Sequence, residues 1–219
     1  MSWTLVTGAA QGLGAALALS LAQEGHNIVV HYNTTPPDQT VANCRIAGVQ
    51  AQSIKGDFSS PQSVETFLNA YERSFSNTKG IVHNVGNWGT ASASKSASAA
   101  LMQTNLHTPE AITSRLLPSL IQNKGHVVTI GTIGIPKPNL TCTDYAITKA
   151  ALWKYTLSLA KEVPQIKVNM VSPGVLENSI TKPTDKCVPY EEVGHLVAYL
   201  FSTHYITGQN IEIAAGFGL

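Results

Sequence analysis

The segment Tyr145-Ala-Ile-Thr-Lys149 combines a phenol and an ammonium four residues apart, a spacing that puts both groups on one face of a helix. A tyrosine with its ordinary pKa near ~10 is a poor base at neutral pH. A neighbouring cation favours the phenolate and makes proton transfer practical. The spacing by itself is common and usually marks a solvated helix face, so its meaning depends on what the fold brings beside Tyr145.

Thr132 is the residue that favours chemistry at Tyr145. It follows the apolar run 126–130, thirteen residues before Tyr145. A hydroxyl at the carboxyl end of a central strand lies where open α/β sheets bind their ligands, and it would contact the same substrate oxygen as the phenol. Because β-branching restricts χ1 of Thr132, this contact requires that the allowed rotamer point toward the substrate.

A glycine-rich turn follows the first predicted strand and opens the first helix, with Gly8, Gly12 and Gly14 in the segment 7–14. Gly8 permits the tight turn, Gly12 lets the backbone approach a pyrophosphate, and Gly14 lets the helix pack closely. The N–H groups and the dipole at the helix N-terminus favour an anion. A turn without a ligand is the alternative, but three glycines carry an entropic cost of up to ~1 kcal/mol each.

The end of the second predicted strand bears on the choice of nicotinamide cofactor. Residues 31–35 contain no carboxylate, and the first acid is Asp38. An acid here would bind the ribose 2′-OH and repel a 2′-phosphate, whereas hydroxyls and the Asn33 amide could hold a phosphate. NADP(H) is therefore expected ahead of NAD(H), although the turn has no Arg or Lys and Gln11 stands where a basic residue would help.

Six short β-branched runs and a weaker seventh, residues 51–55, alternate with helical patterns along the chain. The predicted strands are residues 4–7, 27–32, 51–55, 81–83, 126–130, 167–171 and 210–213. The predicted helices are residues 12–24, a helix starting at Pro61, 97–122, 143–161 and 189–202. Because most runs are continuously apolar, the strands are expected to be parallel and covered on both faces. The pattern predicts one α/β domain over residues 1–219, a Rossmann-like doubly wound sheet.

The composition argues against several other functions. A formal net charge of +1 with 12% charged residues gives no electrostatic case for nucleic acid or an anionic membrane. No stretch approaches the ~20 apolar residues that span a bilayer, and no leader pattern is visible, so a cytoplasmic location is expected. Cys44, Cys142 and Cys187 lack paired or metal-like spacing, so reduced thiols and no metal are expected.

Together these motifs resemble the short-chain dehydrogenase/reductase family over nearly the whole chain. The matching positions are the turn 7–14, Asp57 after the third strand, His83-Asn84-Val85-Gly86 as a variant of an Asn-Asn-Ala-Gly element, Asn105, the triad Thr132, Tyr145 and Lys149, and Ser172-Pro173-Gly174. The resemblance implies a sheet in the order 3-2-1-4-5-6-7, and a homodimer or homotetramer formed through helices 97–122 and 143–161. His83 replaces an asparagine, and a structural role is favoured over a catalytic one.

The resemblance also implies roles for individual residues. Tyr145 would exchange a proton with the substrate oxygen, Lys149 would hold the nicotinamide ribose and stabilise the phenolate, Thr132 would orient the carbonyl, and Asn105 would support a proton relay through water. The residues implied in cofactor binding, besides Tyr145 and Lys149, are Gly8, Gln11, Gly12, Leu13, Gly14, Tyr32, Asn33, Thr34, Asp57, Phe58, Asn84, Val85, Gly86, Pro173, Gly174 and Val175.

The implied activity is NADP(H)-dependent reduction of a carbonyl, with the greatest likeness to 3-oxoacyl carrier-protein reductases. Only 14 residues separate Gly174 from Pro189, and the open pocket that this suggests suits a carrier-borne chain. A pteridine-reductase-like enzyme is an alternative, because residues 31–33 and a stacking Trp88 would suit it, although an arginine common in that group is missing. A catalytically silent NADP-binding regulatory module is another alternative, because Thr132 and His83 depart from the usual pattern of the family.

Overall fold

Seven parallel strands form one sheet in the computed structural model, which describes residues 1–88, 95–133, 135, 143–178 and 187–216. The strands are β1 (Trp3–Val6), β2 (Asn27–Tyr32), β3 (Ala51–Lys55), β4 (Thr78–His83), β5 (His126–Ile130), β6 (Lys167–Pro173) and β7 (Asn210–Ile213). Their order is β3-β2-β1-β4-β5-β6-β7, and each neighbouring pair is parallel. The predicted doubly wound sheet is confirmed.

Helices cover both faces of the sheet. They are α1 (Gly12–Gln23), α2 (Asp38–Ile46), α3 (Pro61–Ser74), α4 (Lys95–Met102), α5 (Thr108–Gln122), α6 (Thr143–Glu162) and α7 (Tyr190–Ser202). α1, α2 and α7 pack on one face, against Val30 and Val82 among others. α3, α5 and α6 pack on the other face, against Val29 and Ile81. Because both faces of the central strands are buried, these strands are apolar at consecutive positions.

The predicted helix 97–122 is interrupted in the structure. A π-helical turn, Gln103–His107, separates α4 from α5. Pro109 has no N–H to donate to the carbonyl of Asn105, four residues earlier, so one bond of a regular α-helix is missing there. The hydroxyl of Thr108 donates instead to the carbonyl of Gln103, at 2.9 Å. The interruption lies at the asparagine that the resemblance assigns to the site.

The sequence pattern predicts no helix over the range of α2, and the structure contains one. Its buried residues are Thr40, Val41 and Cys44 alone, so the apolar face is too narrow to produce a clear helical period. The element belongs to the layer that contains α1. None of the described helices is long and apolar enough to cross a membrane.

His83 is a structural residue in β4, which agrees with the role favoured for it. Its ring is buried, and Nε2 lies 2.8 Å from the Thr113 hydroxyl of α5. Burial lowers the pKa of His83 to about 3. His31 in β2 is also buried, and burial lowers its pKa to about 4. Both rings are therefore neutral in the folded protein at neutral pH.

We expect the free energy of unfolding to decrease as the pH falls from 6.5 toward 4. In that window the unfolded chain binds protons at His83 and His31 that the folded protein does not bind, so unfolding is favoured. By pH 5 each histidine should contribute a loss of about 2 kcal/mol. Urea unfolding at pH 7.5 and 5.0 measures this loss. In His83→Asn, the part of the loss that His83 contributes should be absent. Equal stability at the two pH values would contradict the expectation.

Candidate active site

The predicted site segments converge at one edge of the sheet. β1 and β4 are neighbours at its centre, and the chain leaves them toward opposite faces, into α1 after β1 and toward α4 after β4. Such a reversal opens a crevice at the carboxyl ends of the strands. The glycine turn follows β1 directly, and the segment 84–88 follows β4. Thr132 and Gly174 follow β5 and β6 at the same edge.

The glycine turn has the backbone geometry that its sequence requires. Gly8 and Gly12 have φ values of +64° and +58°, in the left-handed region that favours glycine. A Cβ on Gly14 would collide with the carbonyl oxygen of Gly8 and lie 2.7 Å from Asn84 Nδ2. Only a glycine therefore allows α1 to approach the turn this closely.

The N-terminus of α1 is open to an anion. Gln11 occupies the N-cap position and makes no side-chain capping bond, and both Gln11 and Gly12 are exposed. α3, by contrast, begins with a complete capping box formed by Ser60 and Ser63. The N–H groups in the first turn of α1 thus have no capping acceptor among the described side chains. A pyrophosphate is an acceptor that fits an open helix terminus reached by a glycine turn.

Thr7 and Asn84 join the glycine turn to β4. The Thr7 hydroxyl accepts hydrogen bonds from the N–H groups of Asn84, at 2.9 Å, and Val85, at 3.1 Å. The Asn84 side-chain amide donates to the carbonyl oxygens of Thr7, at 3.0 Å, and Gly8, at 3.2 Å. The side chain of Asn84 therefore supports the turn, and Val85 packs beneath Gly8, where a Cβ would lie 2.9 Å from Val85 Cγ2.

Tyr145 and Lys149 lie together on α6. The Lys149 ammonium is buried, donates to the carbonyl of Ile130 at 2.8 Å, and lies 5.7 Å from the centroid of the Tyr145 ring. Burial lowers the pKa of Lys149 to about 8. Gly86 leaves room for the ammonium, because a Cβ at this position would lie 3.2 Å from Nζ. A cation at this distance stabilises negative charge on a neighbouring oxygen.

Asn105 connects the loop after β4 to the helix that carries Tyr145. Its side-chain oxygen accepts from the N–H of Asn87 at 2.7 Å, and its amide donates to the Asn87 carbonyl at 2.9 Å. The same amide donates to the Thr148 hydroxyl at 2.9 Å. Thr148 in turn donates to the carbonyl of Tyr145 at 2.8 Å. A continuous line of hydrogen bonds therefore holds the loop against α6.

Thr132 lies where pairing between β5 and β6 continues past the end of β5. The N–H of Gly131 donates to the carbonyl of Val171 at 2.8 Å, and the N–H of Ile133 donates to that of Pro173 at 3.2 Å. Thr132 is partly buried between these two bonds. It is two residues beyond Ile130, whose carbonyl oxygen accepts the hydrogen bond from the Lys149 ammonium. The hydroxyl-bearing residue and the ammonium are thus supported by the same strand.

The segment after Pro173 is held by backbone pairing. The N–H of Gly174 donates to the carbonyl of Ile213 at 2.8 Å. The N–H of Val188 donates to the carbonyl of Val175 at 2.8 Å, and the carbonyl of Val188 accepts from the N–H of Glu177 at 3.1 Å. Gly174 and Val175 thus have defined positions at the sheet edge.

Trp88 provides an aromatic surface beside Tyr145. The centroids of the two rings are 4.3 Å apart, with 37° between their planes. The indole is 50% exposed, whereas Tyr145 is 9% exposed. One wall next to the phenol is therefore both aromatic and accessible.

The residues expected to meet the adenosine end lie beyond β2 and β3. Tyr32 is partly buried, and Asn33 and Thr34 are exposed. Asp57 is exposed, and its carboxylate accepts hydrogen bonds from the N–H of Ser59 at 3.0 Å and from the Ser59 hydroxyl at 2.7 Å. These bonds lower the pKa of Asp57. The ring of Phe58 is buried, so its backbone is the part that could meet a cofactor.

Sequence reasoning missed His31, Thr148 and the backbone of Asn87. A signal existed for His31, because a polar residue within the buried run of β2 needs hydrogen-bond partners. The other two residues carry no local pattern. In the described part of the chain, no group of three or more His, Cys, Asp or Glu could hold a metal ion. Burial raises the pKa of the Cys44 thiol to about 11, while Cys142 lies outside the described residues.

Comparisons with known proteins agree with this geometry. The family described as short chain dehydrogenase matches residues 2–187. The chain is 28% identical over 232 residues to dihydromonapterin reductase of Klebsiella pneumoniae, covering 97% of this chain and 95% of the relative. It is 25% identical over 234 residues to the 3-oxoacyl-[acyl-carrier-protein] reductase of Escherichia coli, with the same coverage. The acetoin dehydrogenase structure from Enterobacter cloacae has a TM-score of 0.89 at 23% identity, covering 99% of this chain and 95% of that one.

We expect Asn105→Ala to lower the free energy of unfolding by about 2 kcal/mol, because a buried amide with three hydrogen bonds is lost and its partners are left unpaired. Thr148→Val is the matched control, since it removes a hydroxyl from the same network, and its effect should be about 1 kcal/mol. Urea unfolding at pH 7.5 measures both variants. A loss for Asn105→Ala no larger than that of the control would show that the bonds to Asn87 contribute little.

Proposed function

Because this chain belongs to the short-chain dehydrogenase family, we propose that it is an NADPH-dependent reductase in which Tyr145 protonates the substrate. The observation that carries the proposal is the phenol on α6 with a buried ammonium 5.7 Å from its ring. The crevice edge that holds this pair also holds the uncapped N-terminus of α1. A proton donor and a dinucleotide site would then serve one reaction.

The proposed mechanism assigns each residue a separate task. NADPH, when bound, would supply a hydride to the carbon of the substrate double bond that is being reduced. Tyr145 donates its proton to the heteroatom of that bond, so hydride and proton add across it and a phenolate remains. The Lys149 ammonium stabilises this phenolate, and the Thr132 hydroxyl donates a hydrogen bond to the heteroatom as charge develops. Asn105 holds the loop against α6 and supports return of the proton through water.

We propose a flat, conjugated heterocycle of the dihydropteridine class as the substrate. Trp88 is half exposed and lies against Tyr145, so a planar ring could stack on the indole with its carbon–nitrogen double bond near the phenol. The likeness to a dihydromonapterin reductase over 97% of the chain supports this substrate class. The pteridine-reductase-like activity, an alternative in the sequence analysis, is therefore placed ahead of reduction of a carrier-bound carbonyl.

A 3-oxoacyl thioester is the second candidate. It is supported by the 25% identity to a 3-oxoacyl-[acyl-carrier-protein] reductase. The sequence has only 14 residues between Gly174 and Pro189, and so short a segment suits a substrate whose bulk stays outside the crevice.

The proposed cofactor preference for NADP(H) has support from the register of the sheet. Tyr32 at the end of β2 pairs with Lys55 at the end of β3, and Lys55 is exposed. Paired residues on adjacent strands lie ~4.8 Å apart, so Lys55 is a cation within reach of the turn at Asn33 and Thr34. Lys55 could supply the positive charge that the turn itself lacks.

The proposed assembly is a homodimer or homotetramer that pairs through α5 and α6. Ile147 on α6 is 54% exposed and Ile121 on α5 is 38% exposed, so each of these helices has an apolar side chain that pairing would cover. A cytoplasmic location is proposed with this assembly, since the reduction uses a dissociable nicotinamide cofactor.

The function is tested by mixing the protein with NADPH and either a 7,8-dihydropterin or an acetoacetyl thioester, and following the loss of nicotinamide absorbance. We expect turnover of the dihydropterin, and a decrease in kcat of about 100-fold in Tyr145→Phe, because the proton donor is removed.

Trp88→Leu should raise KM for the dihydropterin about tenfold and change KM for the thioester less than about twofold, since only the flat ring stacks.

Three results would contradict the proposal in different ways. Equal rates for wild type and Tyr145→Phe would rule out the mechanism. Faster turnover of the thioester would favour the second candidate. NADPH binding without turnover of either compound would favour the silent module.

We expect Lys55→Ala to raise KM for NADPH about fivefold and to leave KM for NADH unchanged, because only NADPH carries the 2′-phosphate that an exposed cation attracts. Lys55→Arg retains the charge and is the matched control. Initial rates with each cofactor measure the effect. An equal change in KM for both cofactors would show that Lys55 does not bind the 2′-phosphate.

A further inference from the structure

His31 has one defined tautomer, set by its two neighbours. The N–H of Gly8 donates to His31 Nδ1 at 3.0 Å, so Nδ1 carries no proton. Nε2 lies 3.2 Å from the carbonyl oxygen of Gly56, which can only accept, so Nε2 carries the proton and donates it. The low pKa of the ring, caused mainly by burial, agrees with this neutral form.

His31 also holds the turn through its own backbone. Its carbonyl oxygen accepts the N–H of Ala9 at 2.9 Å. One residue of β2 therefore takes two consecutive N–H groups of the glycine turn, from Gly8 and Ala9. On the other side Asn84 binds the carbonyl of Gly8. The N–H groups of Gly8 and Ala9 and the carbonyl of Gly8 are thus hydrogen-bonded to protein groups. The N–H groups at the start of α1 remain available to a ligand.

The opposite side of the imidazole supports the loop that contains Asp57. Phe58 stacks on the ring with centroids 4.1 Å apart and 4° between the planes, and Phe67 contacts it edge-on at 5.2 Å. Gly56 allows this approach, because a Cβ there would lie 3.1 Å from His31 Nε2. The ring therefore lies between the segment expected to bind the pyrophosphate and the segment expected to meet the adenine.

We propose that His31 is a positioning residue for the dinucleotide, which determines the spacing between the glycine turn and the Asp57 loop without touching the ligand. The residue is buried beneath both segments, so it acts through Gly8 and Gly56. This inference rests on the cofactor site of the proposed function. It adds a residue of β2 to the determinants of cofactor affinity.

Three substitutions separate the two hydrogen bonds from packing. His31→Asn keeps an acceptor at the position of Nδ1 for the Gly8 N–H, and it loses the bond to Gly56 and the ring that stacks on Phe58. His31→Phe keeps the flat ring against Phe58 and loses both hydrogen bonds. Phe67→Leu is the matched control, because it disturbs the same aromatic cluster and leaves the bond between His31 and Gly8 intact.

The first experiment measures hydrogen–deuterium exchange of the segment 7–14 at pH 7.5 without cofactor. We expect exchange to be at least tenfold faster in His31→Phe, because the Gly8 N–H loses its acceptor. His31→Asn and Phe67→Leu should stay within threefold of wild type. Faster exchange in Phe67→Leu equal to that in His31→Phe would assign the effect to packing and overturn the proposal.

The second experiment measures Kd for NADP+ by calorimetry on the same four proteins. We expect Kd to rise at least tenfold in His31→Phe, to rise by a smaller factor in His31→Asn, which keeps the Gly8 bond but loses the Gly56 bond, and to stay within threefold in Phe67→Leu. An unchanged Kd in His31→Phe would overturn the proposal. Failure of wild type to bind NADP+ or NAD+ would instead refute the cofactor site, and the exchange experiment would still decide whether His31 positions the turn.

Discussion

The hydrogen bonds between Thr7 and Asn84 join two strands whose continuations separate. β1 leads into α1 on one face of the sheet, and β4 leads toward α4 and α5 on the other. The Thr7 hydroxyl and the Asn84 amide hold the strand ends together with four bonds. Because the two chains diverge immediately beyond this joint, a crevice opens above it. The glycine turn, the loop at Gly86 and the helix that carries Tyr145 all border this crevice.

The chemistry of the crevice depends on polar groups that the fold buries at some loss of stability. The Lys149 ammonium is buried with a carbonyl oxygen as its hydrogen-bond partner, and its pKa falls to about 8. Burying an ion costs hydration energy, which the surrounding structure must offset with well-placed hydrogen-bond partners. Gly86 lies against the ammonium, and Asn105 and Thr148 bind the neighbouring loop to the helix that carries Lys149. The same packing holds the phenol beside Trp88.

Local sequence predicts the fold well where neighbours in the chain decide the structure. Most of the seven strands are visible because they are apolar or β-branched runs, although β3 is a weak one, and α1 is visible because a glycine turn precedes it. α2 escapes prediction because its buried face contains few residues. The interruption at Gln103–His107 also escapes prediction, although Pro109 marks where the helical bond to Asn105 must be missing. At α2, packing against neighbouring elements outweighs the local pattern, whereas the interruption before α5 has a local cause in Pro109.

The chain alone determines the pairing of Tyr145 with Lys149 and the backbone conformation of Gly8 and Gly12, because helical spacing and glycine's freedom are properties of adjacent residues. The tertiary structure decides which distant residues complete the site. The register of the sheet brings Lys55 beside Tyr32, and the packing of β2 places the His31 ring between Gly8 and Gly56. Such contacts join residues far apart in sequence, so they follow from strand order and layer packing and leave no periodic signal in the chain.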